Sequence, residues 1–300
     1  MSFSVTSGEP KRDYPTVSGH RPVVGVSTKM YFSHARTTAF ISSVLALLQK
    51  PPAPALLRER VDTFVAPDFV SIPAARAAVV AATATATAET GEKEKDCAAE
   101  DAGAFTGEVS PAVLREIGCR LVAVGHAERR RLFAESDDLV RRKAAAAARN
   151  GLVPLVCVGE VFPPASGQDS RPGTDVSSST SPAVRAAAEE VLRQVTAVLD
   201  GLDGHADVIL AYEPVWAIGA PQPASADHVK GVVRLVRESD AVRRRPGRTR
   251  IVYGGAAGPG LWARLGGEVD GLFLGRFAHD PEQFVKMVYE VAGVNFPAST

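Results

Sequence analysis

The chain has 300 residues, 34 of them basic and 34 acidic, and 45% are hydrophobic. That length suffices for one large core, and a formal charge of zero argues against a nucleic-acid binder or a polybasic membrane ligand. Three scattered cysteines, Cys97, Cys119 and Cys157, suit neither a disulfide framework nor a zinc site, so buried thiols in a reducing compartment are expected.

Residues 1–20 carry Ser, Gly, Pro and charge without periodicity and read as a disordered leader with no signal-peptide core. No later segment offers the roughly 20 uninterrupted apolar residues of a membrane span, so a cytoplasmic chain is expected by exclusion. From Arg21 onward, β-branched runs alternate with amphipathic stretches: Val23 to Ser27, then His34 to Lys50; Val61 to Ala66, then Ile72 to Ala82. Two segments, near 84–102 and at 162–181, break the rhythm and read as surface insertions. Ala81 to Ala88 is the candidate third strand, because the charges from Glu92 to Glu100 are not expected to pack in a barrel.

Further strands are predicted at Leu121 to Val124, Val153 to Val158, Val208 to Tyr212, Arg250 to Tyr253 and Gly271 to Leu274, each followed by a helical pattern. Ser136, Ser181-Pro182 and Asp280-Pro281 are helix starts, and Asn150-Gly151 is a stop. Apolar strands without alternation are those of a parallel sheet covered on both sides. Eight strand–helix units fit between residues 21 and 296 as one closed α/β barrel domain, with 297–300 as a tail and an open doubly wound sheet as the competing architecture.

No GxGxxG or GxxxxGK[ST] pattern is present, which disfavours a nucleotide loop. Polar residues do stand immediately after apolar strands: Lys29, His126, Glu160 and Glu213. In a barrel these ends converge on one face. Singly, each would be read as a cap or an ion pair; together they point to catalysis. A helix beginning just after His126 would keep its imidazole neutral, and the apolar run from Val215 to Ile218 after Glu213-Pro214 suits a water-excluding lid. The arginine runs 129–131 and 243–245 read as solvated faces, and the remaining histidines show no metal spacing.

The segments Thr-Lys-Met at 28–30, Gly-Ala-Phe-Thr-Gly-Glu-Val-Ser at 103–110, Val-Gly-His-Ala-Glu-Arg-Arg at 124–130, Pro-Leu-Val-Cys-Val-Gly-Glu at 154–160, Ala-Tyr-Glu-Pro-Val-Trp-Ala-Ile-Gly at 211–219 and Tyr-Gly-Gly at 253–255 resemble the triosephosphate isomerase family, in register over most of the chain. The resemblance implies a (β/α)8 TIM barrel and an aldose–ketose isomerase that interconverts D-glyceraldehyde 3-phosphate and dihydroxyacetone phosphate, in glycolysis and gluconeogenesis, without metal or organic cofactor. That family is a worked case of a glutamate base, a neutral histidine and a closing loop. By the same resemblance Glu213 is the base, His126 the electrophile and Lys29 the fixed positive charge. Glu128 pairs with Lys29, and Cys157 is the buried cysteine beside the site, which packing alone would also explain. Phosphate is taken by backbone donors at Gly219, Ala256, Gly275 and Arg276. The loop holding Phe105, Thr106, Gly107 and Glu108 enters a partner subunit, which implies a homodimer.

The chain departs from the family at several points. Ser27-Thr28 replaces the usual Asn-Trp before Lys29, and Ala220-Pro221-Gln222-Pro223 replaces the Thr-Gly-Lys-Thr hinge. Ala256 stands for a serine, and Arg276 for the second of two glycines. These changes, with Gly271 to Arg276 and Pro223 to Asp227, resemble the paralogues that isomerise tetrulose phosphates in erythritol breakdown, the second expectation. A catalytically silent phosphate sensor or scaffold is the third.

Overall fold

The β-branched runs become eight short parallel strands in the computed structural model, which describes residues 16–50, 54–83, 91–94, 96–163, 181–220 and 224–297. They are β1 (Val23–Ser27), β2 (Asp62–Ala66), β3 (Gly91–Glu94), β4 (Leu121–Val124), β5 (Val153–Val158), β6 (Val208–Tyr212), β7 (Thr249–Tyr253) and β8 (Gly271–Leu274). Each pairs with the next, and β8 returns to β1, so the sheet closes into a barrel with strands in sequence order. This settles the choice between closed and open sheets in favour of the (β/α)8 barrel.

Strand residues alternate between two cores, which explains why the strands read as continuously apolar. Val23, Phe64, Leu121, Ala123, Leu155, Cys157, Ile209, Ala211, Val252 and Phe273 fill the interior. Their neighbours Val24, Val122, Val156, Leu210 and Ile251 face the helices. The helix starts are as expected: the side chains of Ser136, Ser181 and Asp280 accept from the backbone N–H of Leu139, Val184 and Gln283. Phe284, Val288 and Val291 of the last helix are buried, as is Trp262.

Four expectations need correction. The third strand is Gly91–Glu94, inside the charged stretch, while Ala81 to Thr83 end the helix Ile72–Thr83. Alanine is the best helix former, whereas strand pairing uses backbone groups that any residue but proline supplies. Accordingly, the segment near 84–102 is not wholly a surface insertion, since it contributes β3 and the buried Cys97. The leader expected to run to residue 20 is anchored from Thr16: Val17 N–H donates to Gly267 O at 2.9 Å and the Ser18 hydroxyl donates to Asp270. Asp270, fully buried, accepts from Ile251 N–H and Arg237 at Oδ2, and the passing chain supplies the donor for Oδ1. Lastly, Arg129 and Arg130 are not a solvated face: they bind Glu135 and Asp137 at 2.6 Å, and Arg130 also binds Gly125 O. Residues 1–15 of the expected leader, 84–88 of the candidate third strand, most of the insertion at 162–181, the tail from 298 and the hinge residues 221–223 lie outside the described residues.

One interior position has no room for a side chain. A β-carbon on Gly25 would sit 1.9 Å from Phe64 Cζ, and Phe64 is itself wedged 5.5 Å from the Phe273 ring. Gly25→Ala is therefore expected to cost about 1–3 kcal/mol through overpacking. A lowered Tm in thermal unfolding, by about 2–4 °C per kcal/mol, checks it.

Candidate active site

The alternation that fills the barrel also aims the residues just past its C-terminal end. On β6, Ile209 and Ala211 point inward, and Glu213 continues that parity into the mouth. Its backbone N–H donates to Val158 O at 2.8 Å, extending the β5–β6 pairing by one residue. Neighbouring backbone packs so closely that a β-carbon on Gly159 would lie 1.9 Å from Glu213 O and one on Gly254 2.4 Å from Glu213 Cγ. Glu213 is consequently 3% exposed, and its Oε2 makes no hydrogen bond among the described residues. Burial pushes its carboxyl up to about 8, against the opposing charge of Lys29 and a hydrogen bond from Cys157.

His126 caps the helix Ala127–Phe133, and its Nδ1 accepts the Glu128 N–H at 3.1 Å. A nitrogen that accepts carries no proton, so this geometry assigns the ring proton to Nε2, which lies 3.5 Å from Glu213 Oε2. Lys29 reaches the mouth from the turn after β1 in the left-handed region, at φ +47°. Its Nζ donates to Glu128 Oε1 at 2.7 Å. Burial pulls the Glu128 carboxyl upward, but the hydrogen bond and charge of Lys29 outweigh it and hold the group below its ordinary value. Ser27, buried below Lys29, accepts the Lys29 N–H at 3.3 Å. Cys157 Sγ lies 3.8 Å from Glu213 Oε1, and burial followed by the neighbouring carboxylate pushes its thiol well up. A thiol so placed is a packing group and no nucleophile.

All of these except Cys157 border cavities at the barrel mouth. One, of about 1010 Å³, is shared by Lys29, His126 and Glu213 on one side and Gly219, Ala256, Gly275 and Arg276 on the other. Arg276 is exposed, yet one terminal nitrogen lies 3.9 Å from where a β-carbon on Gly219 would be. The structure thus brings the expected anion-binding positions into the same cavity as the carboxylate and imidazole. A second cavity, of about 600 Å³, shares Ser27, Lys29 and His126 and runs on to Asp96, Cys97, Gly107 and Glu108. Phe105 and Thr106 are exposed beside it.

Three features escaped the sequence reading. Gly254 shapes the pocket of Glu213, a role hidden because its neighbour comes from another strand. His279 Nε2 lies 2.9 Å from the Ser27 carbonyl and fixes the turn below Lys29. Glu160 was noticed only as a strand-end acid; it is buried, and Tyr212, Trp216 and His228 all reach its carboxylate.

The mouth thus sets a buried carboxylate 3.5 Å from an imidazole nitrogen, beside a cavity that Gly219, Ala256, Gly275 and Arg276 also line. The chain belongs to the triosephosphate isomerase family, which it matches over residues 22–291. It is 40% identical to the L-erythrulose-1-phosphate isomerase of Pectobacterium atrosepticum, over 89% of this chain and 95% of the relative. A protein of the same name from Rhizobium etli is 36% identical, over 90% and 92% of the two chains. The triosephosphate isomerase of Aquifex aeolicus is 32% identical, over 90% and 99%. Among the described residues no helix is long and apolar enough to cross a membrane.

The elevated carboxyl of Glu213 has a thermodynamic signature. Between its ordinary value of 4.5 and about 8, the folded chain holds a proton that the unfolded chain releases, so stability falls as pH rises across that window. Glu213→Gln removes this fall. The Tm difference between variant and parent is expected to move in favour of the variant from pH 5 to pH 8 and level off above; a difference independent of pH would show that the carboxyl is not elevated.

Proposed function

We propose that Glu213, His126 and Lys29 interconvert short sugar phosphates through an enediolate. The single observation behind this reading is the buried Glu213 carboxylate 3.5 Å from His126 Nε2, beside a cavity that Gly219, Gly275 and Arg276 also line. Glu213 takes a proton from the carbon beside a carbonyl and returns it to the adjacent carbon. His126 Nε2–H donates to the oxygen that gathers negative charge and passes hydroxyl protons between the two oxygens. Lys29, held by Glu128, supplies a positive charge that is already in place before the reaction. The phosphate is bound by the backbone donors around Gly219, Ala256 and Gly275, with the Arg276 guanidinium beside them.

For the substrate, a four-carbon ketose phosphate comes first and triose phosphate second. The two relatives at 40% and 36% identity bear the name L-erythrulose-1-phosphate isomerase, against 32% for a triosephosphate isomerase. Chemically, L-erythrulose 1-phosphate differs from dihydroxyacetone phosphate by one hydroxymethyl group on the reacting carbon remote from phosphate. That end needs space away from the phosphate donors. Ser27, shorter than the family's asparagine, borders both cavities there, and the second cavity touches none of Gly219, Ala256, Gly275 or Arg276.

A homodimer is part of the proposal. The exposed loop of Phe105, Thr106, Gly107 and Glu108 and the open second cavity beside Lys29 and His126 suit reciprocal insertion by two copies. Three buried thiols fit a reducing, cytoplasmic setting.

The test is kcat/KM for L-erythrulose 1-phosphate beside D-glyceraldehyde 3-phosphate, with Glu213→Gln as control for host isomerase. At least tenfold preference for the four-carbon substrate is expected, with turnover lost in Glu213→Gln. Ser27→Asn is expected to lower the four-carbon activity more than the triose activity. Triose preference reverses the order of substrates, and wild-type turnover in Glu213→Gln overturns the mechanism. Sedimentation at twice the chain mass checks the dimer.

A further inference from the structure

Glu160 is a buried acid with no part in the proton transfer, yet it collects an unusual set of donors. Its Oε1 lies 2.9 Å from Trp216 Nε1 and 2.9 Å from His228 Nε2, and the Tyr212 hydroxyl reaches both of its oxygens at 3.1–3.2 Å. Besides the Tyr212 hydroxyl, the donors at Oε1 come from the segment that follows Glu213 and from the helix beyond it. Trp216 belongs to the single turn Val215–Ala217, while His228 lies in the first turn of the helix Ala226–Glu238, where its backbone N–H is held by the Ser225 side chain. His228 also packs edge-on against the Trp216 indole, with centroids 5.8 Å apart at 74°. Among the described residues it is the one base within ion-pair reach of Glu160.

We infer that His228 is a positioning residue for phosphate binding: through Glu160 it fixes Trp216, and through the turn 215–217 it sets the backbone of Gly219 at the anion end of the site. Three bonds link the parts. Val215 N–H donates to Glu160 O at 2.9 Å, Ile218 N–H donates to Val215 O, and Trp216 sits between on the Glu160 carboxylate. Because the acceptor is a carboxylate, Nε2 of His228 is the donor. Without it, Oε1 keeps the indole and the Tyr212 hydroxyl but loses the donor tied to the helix Ala226–Glu238, so the carboxylate under the turn is held from the β6 side only. Glu213 is held independently, by Val158 O and the β5–β6 pairing, and its chemistry is not expected to suffer directly.

The inference rests on the reading of Gly219 as a phosphate donor, and inorganic phosphate is the probe that separates the two. Calorimetric affinity for phosphate would be measured in the full chain and in His228→Ala, His228→Gln and His228→Phe. Trp216 emission would be followed in a Trp262→Phe background, which leaves Trp216 as the sole tryptophan. In His228→Ala, phosphate affinity is expected to fall at least fivefold and KM to rise in parallel, with kcat within about threefold and a red-shifted Trp216 emission. His228→Gln, which keeps a donor, is expected to recover most of the loss, and His228→Phe, which keeps the ring, is not. Recovery by Phe but not Gln, or unchanged phosphate affinity in His228→Ala, overturns the role of His228 alone. A wild-type chain that binds no phosphate overturns the Gly219 reading and this inference together.

Discussion

A carboxylate withheld from water organises this barrel mouth. Glu213 is enclosed by backbone that only glycines at 159 and 254 permit, and no donor satisfies its Oε2 among the described residues. Desolvation alone would keep it protonated; the Lys29 ammonium opposes that, and the balance leaves the carboxyl near neutrality, in the range where a base exchanges protons readily. Glu128 joins the opposing pieces. Its side chain holds Lys29 while its backbone N–H holds His126 Nδ1, so one residue at a helix start sets both the position of a charge and the tautomer of an imidazole.

The two ends of the barrel use buried charge differently. At the bottom, Asp270 is satisfied by Ile251 N–H, Arg237 and the Ser18 hydroxyl, while Asp62 takes Arg250 and Arg21 at 2.7–2.8 Å. Both carboxylates are paired there, away from the mouth, and serve stability. Beside the mouth, Lys143 and Arg129 are shared between Asp96 and Glu135, and burial still pushes the Asp96 carboxyl up to about 6. Two cations there stiffen the wall behind His126 without neutralising every acid fully.

What the sequence made legible follows from which interactions are local. Strand alternation, caps such as Ser136 and Asp280, and polar residues just past strand ends are readable because each depends on nearby residues in the chain. The third strand was misplaced because Gly91–Glu94 lacks apolar patterning and is held by pairing with Phe64 to Val65 and Leu121 to Val122, far along the chain. The anchoring of Thr16 to His20 escaped for the same reason, since its acceptor, Asp270, is some 250 residues away. His228 stands among the histidines without metal spacing, and only folding brings it to Glu160, across a separation of 68 residues.

The left-handed backbone of Lys29 carries a consequence for anyone who evolves or redesigns this chain. A non-glycine residue at φ +47° costs about 1–2 kcal/mol, and glycine or asparagine would relieve it. Selection for heat resistance alone would therefore favour discarding the ammonium that opposes the desolvation of Glu213. Libraries screened for ruggedness need position 29 held constant, or they will enrich barrels that fold better because they have lost the cation paired with Glu128.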